Sequence, residues 1–273
     1  MSQTASISRG TPLPVHHPAR VMRDLFDSGV IQSMAGSFNA ASARVLERAG
    51  IPCSLLGGSA ASNTFLGLPD AEFLTLGQLA ALCSSMTSAV SMPILVDADT
   101  GYGNAINVTH AVHLLEQAGA AGIMIEDQVA PKRSGHVAGK RVVSVEEMVG
   151  KIRAALDACR NPDVVIVARC DARATEGPEG AVARANAYAA AGADATMIDG
   201  AVSAEELSLF GAVRSRYRIV NMGGSAKVRT TPKLPLTELQ AMGYHAAMYA
   251  LQTPRAAALG MLQSANALRA RFA

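Results

Sequence analysis

Short apolar runs alternate with longer Ala/Leu-rich stretches along most of the chain. Each run is almost continuously hydrophobic, which is typical of strands buried on both faces of a parallel sheet, whereas the stretches between them have helical character. The eight predicted strands cover residues 31–35, 53–56, 94–97, 122–126, 164–169, 195–198, 218–221 and 246–250. Eight β/α units predict an α/β fold, a closed (β/α)8 barrel of TIM type, with a doubly wound open sheet as the alternative because alternation alone does not prove closure.

Length and composition favour one domain. The chain has 273 residues, 49% of them apolar and 17% charged. A barrel of this type uses that length for one domain, so residues 21–273 are expected to form it and residues 1–20 a flexible N-terminal arm. His16 and His17 in this arm are an alternative metal site, but His pairs in mobile termini usually lack a third ligand.

Charge and cysteine usage exclude several classes of partner. Lys and Arg total 24 against 22 Asp and Glu, and no basic block is long enough to follow a nucleic-acid backbone. No apolar run reaches the roughly 18 residues of a membrane span, and the start of the chain has no signal-peptide core. The four cysteines are far apart in apolar surroundings, which indicates a cytoplasmic location.

Acidic side chains follow neighbouring predicted strands at their carboxyl ends, where parallel α/β folds build their sites. Asp97 and Asp99 share one face after the third strand, and Glu126 ends the fourth. Acids converging on one mouth would repel each other without a cation. A set of oxygen donors favours Mg²⁺, with Mn²⁺ possible. The alternative is a structural network in which these acids pair with Arg169 and Lys132.

Two loops at the same end could bind substrate. Gly57, Gly58 and Ser59 follow the second strand, where free backbone amides can hold an anion. Tyr102 lies just after the third strand and could reach a substrate or pack. The long connection 128–143 carries four cations, glycines and His136, which predicts a lid over an anionic ligand; a solvated basic loop is the alternative.

Three motifs carry a resemblance to a known family. They are residues 96–103 (VDADTGYG), 125–128 (IEDQ) and 131–136 (PKRSGH). Together they resemble the isocitrate lyase/phosphoenolpyruvate mutase superfamily, and the similarity extends from residue 38 to the final helix.

The resemblance implies an α/β barrel that binds Mg²⁺ and an α-oxo or 2-hydroxy carboxylate, and that cleaves or forms a C–C or P–C bond through a pyruvate enolate. It also implies a homotetramer, a dimer of dimers, in which the final helix, residues 253–272, is exchanged between subunits. The implied site residues are Asp97, Asp99 and Glu126 for the metal with Asp70 nearby, Gly57, Gly58 and Arg169 for the substrate carboxylate, and Lys132 in the lid.

Three positions depart from the lyase pattern. Ser134 stands where lyase members have the Cys that protonates the carbanion, and a hydroxyl is a far weaker acid than a thiol. Asp199 replaces a Glu, and the sequence after Asn221 lacks the family's Thr and Glu. Other phrases look more like the oxaloacetate decarboxylase branch. Because Ser134 is a weak proton donor, Tyr102, His136 or water is a candidate relay for the proton. Whether Ser134 is the natural residue stays open.

Three functions follow, in different classes. The first is a Mg²⁺-dependent carbon–carbon lyase acting on a small α-oxo or 2-hydroxy dicarboxylate by retro-aldol cleavage or decarboxylation. The second is a mutase or hydrolase of phosphonopyruvate or carboxyphosphonoenolpyruvate. The third is a catalytically silent barrel that only binds a metabolite. Asp199 and Asn221 would contact the part of the substrate that differs between these functions.

Overall fold

Eight parallel strands close into a barrel in a computed structural model that describes residues 17–134, 139–223 and 231–272. The strands are β1 (Gln32–Ser37), β2 (Cys53–Leu56), β3 (Ile94–Asp97), β4 (Gly122–Glu126), β5 (Val165–Cys170), β6 (Ala195–Ile198), β7 (Tyr217–Asn221) and β8 (Ala246–Tyr249). Because β1 pairs in parallel with β8, the sheet has no open edge. The predicted (β/α)8 barrel is confirmed, and the open sheet is excluded.

Helices surround the barrel and follow the strands in alternation. They are α1 (Pro18–Asp27), α2 (Ala40–Arg48), α3 (Gly58–Ala61), α4 (Leu76–Thr87), α5 (Ala105–Gln117), α6 (Val145–Ala158), α7 (Arg173–Ala190), α8 (Ala204–Gly211), α9 (Leu236–Ala241) and α10 (Gln252–Ala270). Helix α3 continues into a π-helical segment, Ser62–Leu66. Polar N-caps begin several helices: Thr75, for example, forms a reciprocal capping box with Gln78 at the start of α4.

The predicted strands lie within two residues of the observed ones. The largest difference is at β1, which extends to Ser37 rather than ending at residue 35. Ser37 is fully buried because its hydroxyl shares a 2.6 Å hydrogen bond with that of Ser54 on β2. This pairing hides a polar residue in the barrel, so hydrophobicity alone ended the strand too early.

Helix α1 packs against the amino-terminal end of the barrel. Met22 and Phe26 are buried, and Arg23 donates hydrogen bonds to the carbonyls of residues immediately before β5. The helix begins at Pro18, so residues 18–20, expected in the arm, belong to it. The division into an arm and one barrel domain otherwise stays a prediction.

The two ends of the barrel sheet meet closely, whereas the last helix is loosely attached. A Cβ atom on Gly36 at the end of β1 would overlap the carbonyl oxygen of Ala250, just after β8. Helix α10 touches β1, but none of its residues is buried, and it exposes Leu259, Met261 and Leu262. Within the described ranges, no helix combines the length and apolar character needed to cross a membrane.

Candidate active site

The loop after β3 brings the predicted Asp97 and Asp99 to the carboxyl-terminal mouth of the barrel. Asp97 ends β3 and accepts hydrogen bonds from the main-chain N–H groups of Gly58, at 3.3 Å, and Asp99, at 3.2 Å. Asp99 has a φ of 50°, in the left-handed region that residues with a side chain seldom adopt. The chain therefore turns sharply here, and both carboxylates are buried.

Lys132 reaches from the loop after β4 into this acidic cluster. Its Nζ lies 2.8 Å from Asp70 Oδ1 and 2.5 Å from Asp99 Oδ1, and the residue is only 3% exposed. A Cβ atom on Gly58 would stand 2.5 Å from Asp99 Oδ1 and 3.3 Å from Lys132 Nζ. Gly58 is thus required for close packing of the loop after β2. Its amide, predicted to hold substrate, is engaged by Asp97.

Arg169 on β5 is the second buried cation of the site. Its Nε lies 2.7 Å from Asp171 Oδ2 and 3.3 Å from Glu126 Oε2. Its Nη2 lies 3.2 Å from Asp199 Oδ2. One guanidinium therefore faces carboxylates from three neighbouring strand ends, so acids outnumber cations among the described residues around it.

The carboxylate of Asp171 holds the guanidinium of Arg169 in position. It makes a two-pronged contact with the guanidinium and also accepts a 2.6 Å hydrogen bond from Lys140 Nζ. These two cations hold the pKa of Asp171 below its usual value, although burial acts to raise it. The main-chain N–H of Asp171 donates to Asp127 Oδ1 at 2.7 Å. The orientation of Arg169 is therefore set by Asp171, which Lys140 and Asp127 hold in turn.

Burial and mutual repulsion change the acidity of the site. Burial raises the pKa of Glu126 well above its ordinary value, against the charge of Arg169. It raises the pKa of Asp99 to about 7, although Lys132 acts in the opposite direction. Burial lowers the pKa of Lys132, but the acids around it outweigh this and hold that pKa well above normal. The carboxylates thus lack enough cationic partners, and another cation would stabilise their charged forms.

The oxygens of these acids suit a hard metal ion. Asp70 Oδ1 and Asp99 Oδ1 share the single cation Lys132, Glu126 Oε2 lies 3.3 Å from Arg169 Nε, and the buried Glu126 Oε1 has no hydrogen-bond partner among the described residues. Among residues 17–134, 139–223 and 231–272, no three potential ligands form a cluster arranged to hold a metal ion. Lys132 and Arg169 lie among the acids and separate them. The donor chemistry nevertheless fits Mg²⁺ or Mn²⁺, both of which prefer carboxylate oxygens.

A cavity of about 60 Å³ opens beside these groups. Most of the predicted site residues line it: Gly57, Gly58, Ser59, Asp70, Asp97, Ser134, Arg169, Asp199 and Asn221. Met124, Met248 and Leu251 add apolar surface. The acids and Arg169 lie on one side of this cavity.

Asp199 and Asn221 form one wall of the cavity. Asn221 Nδ2 donates to Asp199 Oδ1 at 3.1 Å, and Asn221 Oδ1 accepts the main-chain N–H of Gly223 at 3.0 Å. Since Arg169 holds the other oxygen of Asp199, this wall is rigid. Asp199, which departs from the lyase pattern, and Asn221, which adjoins a departure, therefore both line the cavity.

The remaining predicted residues differ in their placement. Tyr102 has a φ of 60°, and its buried hydroxyl finds no hydrogen-bond partner in the described part of the chain. Burial and nearby acids raise its pKa. His17 lies at the start of α1, where its ring contacts Asn161 Nδ2. His136 and Gly224 lie outside the described residues, as does His16.

Sequence reasoning missed three residues that support the site. Glu72 accepts hydrogen bonds from Thr100 and from the main chain of Lys132, and Lys151 on α6 donates to the carbonyl of Thr100 at 3.1 Å. None of them ends a predicted strand. The only available signal for Glu72 was its position two residues after Asp70.

Comparison with known proteins gives matches over almost the whole chain. A family model described as phosphoenolpyruvate phosphomutase matches residues 22–269. The chain is 38% identical over 251 residues to 2,3-dimethylmalate lyase of Eubacterium barkeri, covering 92% of this chain and 86% of that protein. It is 42% identical over 243 residues to 2-methylisocitrate lyase of Aeropyrum pernix, covering 89% and 77%.

Solved structures give the same result. A structure of 2,3-dimethylmalate lyase superposes with a TM-score of 0.86 at 30% identity, covering 94% of this chain and 86% of that one. Oxaloacetate acetylhydrolase with the inhibitor 3,3-difluorooxalacetate has a TM-score of 0.86 at 28% identity, covering 93% and 86%. Phosphonopyruvate hydrolase with oxalate and Mg²⁺ has a TM-score of 0.81 at 30% identity, covering 93% and 87%.

Proposed function

Because the chain belongs to the phosphoenolpyruvate mutase/isocitrate lyase superfamily, as its motifs predicted, we propose that it is a Mg²⁺-dependent lyase of small α-oxo or 2-hydroxy dicarboxylates. The prediction of an enzyme of this superfamily is confirmed, and the two relatives named above are carbon–carbon lyases. The observation that carries the proposal is the surplus of buried carboxylates over cations around Lys132 and Arg169, beside a small cavity.

The acids would hold the metal ion and its waters, and Arg169 with the loop of Gly57 and Gly58 would hold the substrate carboxylate. Asp97, Asp99 and Glu126 are the proposed ligands, with Asp70 adjacent. When bound, Mg²⁺ supplies a Lewis acid that stabilises negative charge on substrate oxygens. Support for Mg²⁺ comes from the donor chemistry and from the related phosphonopyruvate hydrolase, which was solved with Mg²⁺. Mn²⁺ could replace it.

The chain's own residues then position the substrate and move protons. In a retro-aldol cleavage, a base removes the 2-hydroxyl proton, the C–C bond breaks so that the hydroxyl-bearing fragment becomes an oxo acid, and the carbanion of the other fragment takes a proton. In a decarboxylation, CO2 leaves and the pyruvate-type enolate takes a proton on carbon. Tyr102, with an unpaired buried hydroxyl, and Ser134, on the cavity wall, are the described candidates for that proton transfer. Lys132 would hold the acids in place, and His136 stays a candidate on sequence grounds.

A phosphonate reaction is the second candidate. The matching family model is described as a phosphomutase, and phosphonopyruvate hydrolase is 30% identical in sequence. A catalytically silent, metabolite-binding barrel is the remaining alternative, and the surplus of buried carboxylates over cations argues against it because nothing in a silent barrel would require that surplus.

A substrate panel with Mg²⁺ separates these functions. We expect pyruvate or another oxo acid from one of 2,3-dimethylmalate, methylisocitrate or oxaloacetate, and none from phosphonopyruvate. Release of phosphate or pyruvate from phosphonopyruvate alone would favour the second candidate. Binding without turnover for every compound of the panel would indicate the catalytically silent barrel.

Two variants of Ser134 test the proton step. If Ser134 is a weakened lyase acid, Ser134→Cys should raise cleavage of dimethylmalate or methylisocitrate by one or more powers of ten, within the roughly 10²–10⁴-fold of general acid catalysis. We expect no such gain, because Asp199 also departs from the lyase pattern. Ser134→Ala should then cost little, and a strong gain in the Cys variant would reverse this assignment.

We also propose a homotetramer, a dimer of dimers, in the cytoplasm, with α10 exchanged between subunits. The support is that α10 buries none of its residues although it carries several large apolar side chains. We propose a small anionic carboxylate as the partner, and no nucleic acid or membrane. Light scattering after size exclusion should give four subunits for the full chain. A chain truncated after residue 251 should give a smaller assembly.

A further inference from the structure

Glu72 has a backbone conformation that a residue with a side chain rarely adopts. It lies between the π-helical segment and α4, with a φ of 60°. This left-handed region favours glycine, and other residues remain there only when surrounding contacts hold them. Its contacts should therefore show what holds it.

The two carboxylate oxygens of Glu72 bind two different loops of the site. Oε1 accepts a 2.5 Å hydrogen bond from the hydroxyl of Thr100, in the loop after β3. Oε2 accepts the main-chain N–H of Lys132, in the loop after β4, at 3.3 Å. A single side chain thus joins the loop that carries Asp99 to the segment that carries the site lysine.

The two attachment points are unequal. Thr100 is fully buried, and its carbonyl accepts a hydrogen bond from the buried Lys151 of α6. The loop after β3 is therefore anchored to the helical layer. Lys132 lies in an irregular segment, where the neighbouring Arg133 N–H is held separately, by Gln128 Oε1 at 3.1 Å. Glu72 thus connects the anchored Thr100 to the irregular loop segment that contains Lys132.

We propose that Glu72 is a positioning residue, which fastens the backbone of Lys132 to Thr100 and so keeps Lys132 Nζ against Asp70 and Asp99. The contact itself does not depend on the reaction. Its catalytic consequence rests on the proposed lyase function.

The strained φ makes two variants informative. Glu72→Gly removes the carboxylate and relieves the backbone strain, so the melting temperature should stay or rise while the fastening is lost. Glu72→Gln keeps the strain and one acceptor oxygen for the Lys132 N–H, and its amide N–H can donate to the Thr100 hydroxyl, so it should retain the fastening in a weaker, uncharged form. If Glu72 only stabilised the fold, the Glu72→Gly substitution would instead lower the melting temperature.

Residue-resolved amide hydrogen exchange on the full-length protein, without substrate, tests the fastening. In Glu72→Gly, exchange at the Lys132 amide should speed up by about tenfold or more, the factor for losing one hydrogen bond to a charged group. Exchange at the Arg133 amide should not change, because Gln128 holds it. Glu72→Gln should give an intermediate rate at Lys132.

Glu147→Gln is the matched control. Glu147 is a half-exposed carboxylate 3.9 Å from Lys151 Nζ, so its loss alters charge near Thr100 without touching Lys132. Exchange at Lys132 should be as in the parent protein. Equal acceleration at Lys132 and Arg133 in Glu72→Gly, or no acceleration at either, would overturn the proposal.

The substrate panel then gives the catalytic consequence. Glu72→Gly should lower kcat by about tenfold or more with a smaller change in KM, since Lys132 would be misplaced and Arg169 would not. Glu72→Gln should partly restore kcat. If the parent protein turns over none of the panel, the proposed function fails while the exchange result still decides the fastening. Unchanged kcat in Glu72→Gly with faster exchange at Lys132 would contradict a role in catalysis.

Discussion

The two ends of the barrel handle buried arginines in opposite ways. At the amino-terminal end, Arg23 donates to the carbonyls of Pro162, Asp163 and Val164 and pairs with Asp194 at 2.8 Å. At the carboxyl-terminal end, Arg169 faces carboxylates. The first arrangement binds the guanidinium with three fixed backbone carbonyls and a single carboxylate, whereas the second sets one guanidinium against several carboxylates and leaves Glu126 Oε1 without a partner among the described residues.

A second arginine at the amino-terminal end supports this comparison. Arg218 donates to the carbonyls of Val213, Ser215 and Gly243, near the ends of α8 and α9. The exception there is the hydroxyl of Ser215, which is buried and accepts or donates no bond within the described residues. That group is neutral, so its cost is small compared with an unpaired carboxylate. One end of the barrel is thus built for stability, and the other retains unbalanced charge for function.

Removal of divalent metal should have the largest effect, confined to the carboxyl-terminal end. EDTA should lower activity at least about 100-fold, since a Lewis acid supplies several kcal/mol of charge stabilisation, and Mg²⁺ should restore it. Mg²⁺ should also raise the melting temperature of the parent protein but not of Asp99→Asn. Full activity in chelator would remove the metal from the mechanism.

Arg23→Met should give the largest loss of stability. The change leaves Asp194 without its cation and three carbonyls without a donor, so the free energy of unfolding should fall by about 3 kcal/mol. Urea denaturation measures this loss. Activity at low temperature should persist because the site lies at the other end. A change within about 0.5 kcal/mol would show that the amino-terminal network is dispensable.

A matched pair of lysine substitutions compares the two arginines directly. Arg169→Lys loses the two-pronged contact with Asp171, so kcat/KM should fall by about tenfold or more while the charge remains. Arg218→Lys should leave kcat/KM unchanged and lower stability by about 1 kcal/mol. If both variants kept full kcat/KM, Arg169 would have no place in substrate binding.

The smallest expected effect is a pH dependence at the amino-terminal end. His245 Nδ1 accepts the main-chain N–H of Arg218 at 3.2 Å, and burial lowers the pKa of His245. Below about pH 6.5 the unfolded chain takes up a proton that the folded one resists, so stability falls as the pH decreases. Between about pH 7 and pH 5, His245→Asn should lose stability less steeply than the parent protein in urea titrations. Equal slopes would contradict this assignment.

The sequence predicted best those features that depend on the residues of a single strand. β2, β3, β4 and β6 have the predicted limits, and every residue in them is buried, as it is in β5, whose limits differ from the predicted ones by one residue. Asp97, Asp99 and Glu126 could be predicted as site residues because parallel strands end at the same face. The roles of these residues stay predictions.

Contacts between distant segments could not be predicted. Glu72 and Lys132 are joined across 60 positions, and Lys140 and Asp171 across 31. No local period encodes such pairs, because each depends on where the barrel places two loops. The buried Ser37–Ser54 bond shows the same limit for strand ends, since the Ser37 hydroxyl is satisfied in the core by a residue of the neighbouring strand.

The close contact between Gly36 and Ala250 has a consequence for biosynthesis. The first strand leaves the ribosome long before its neighbour β8 has been translated, by an interval on the order of ten to forty seconds at about 5–20 residues per second. Throughout that interval the nascent sheet has an unpaired edge that could associate with other chains. Chains released before β8 is complete would keep that edge permanently, so premature termination before Ala246–Tyr249 should yield aggregates rather than a shortened enzyme.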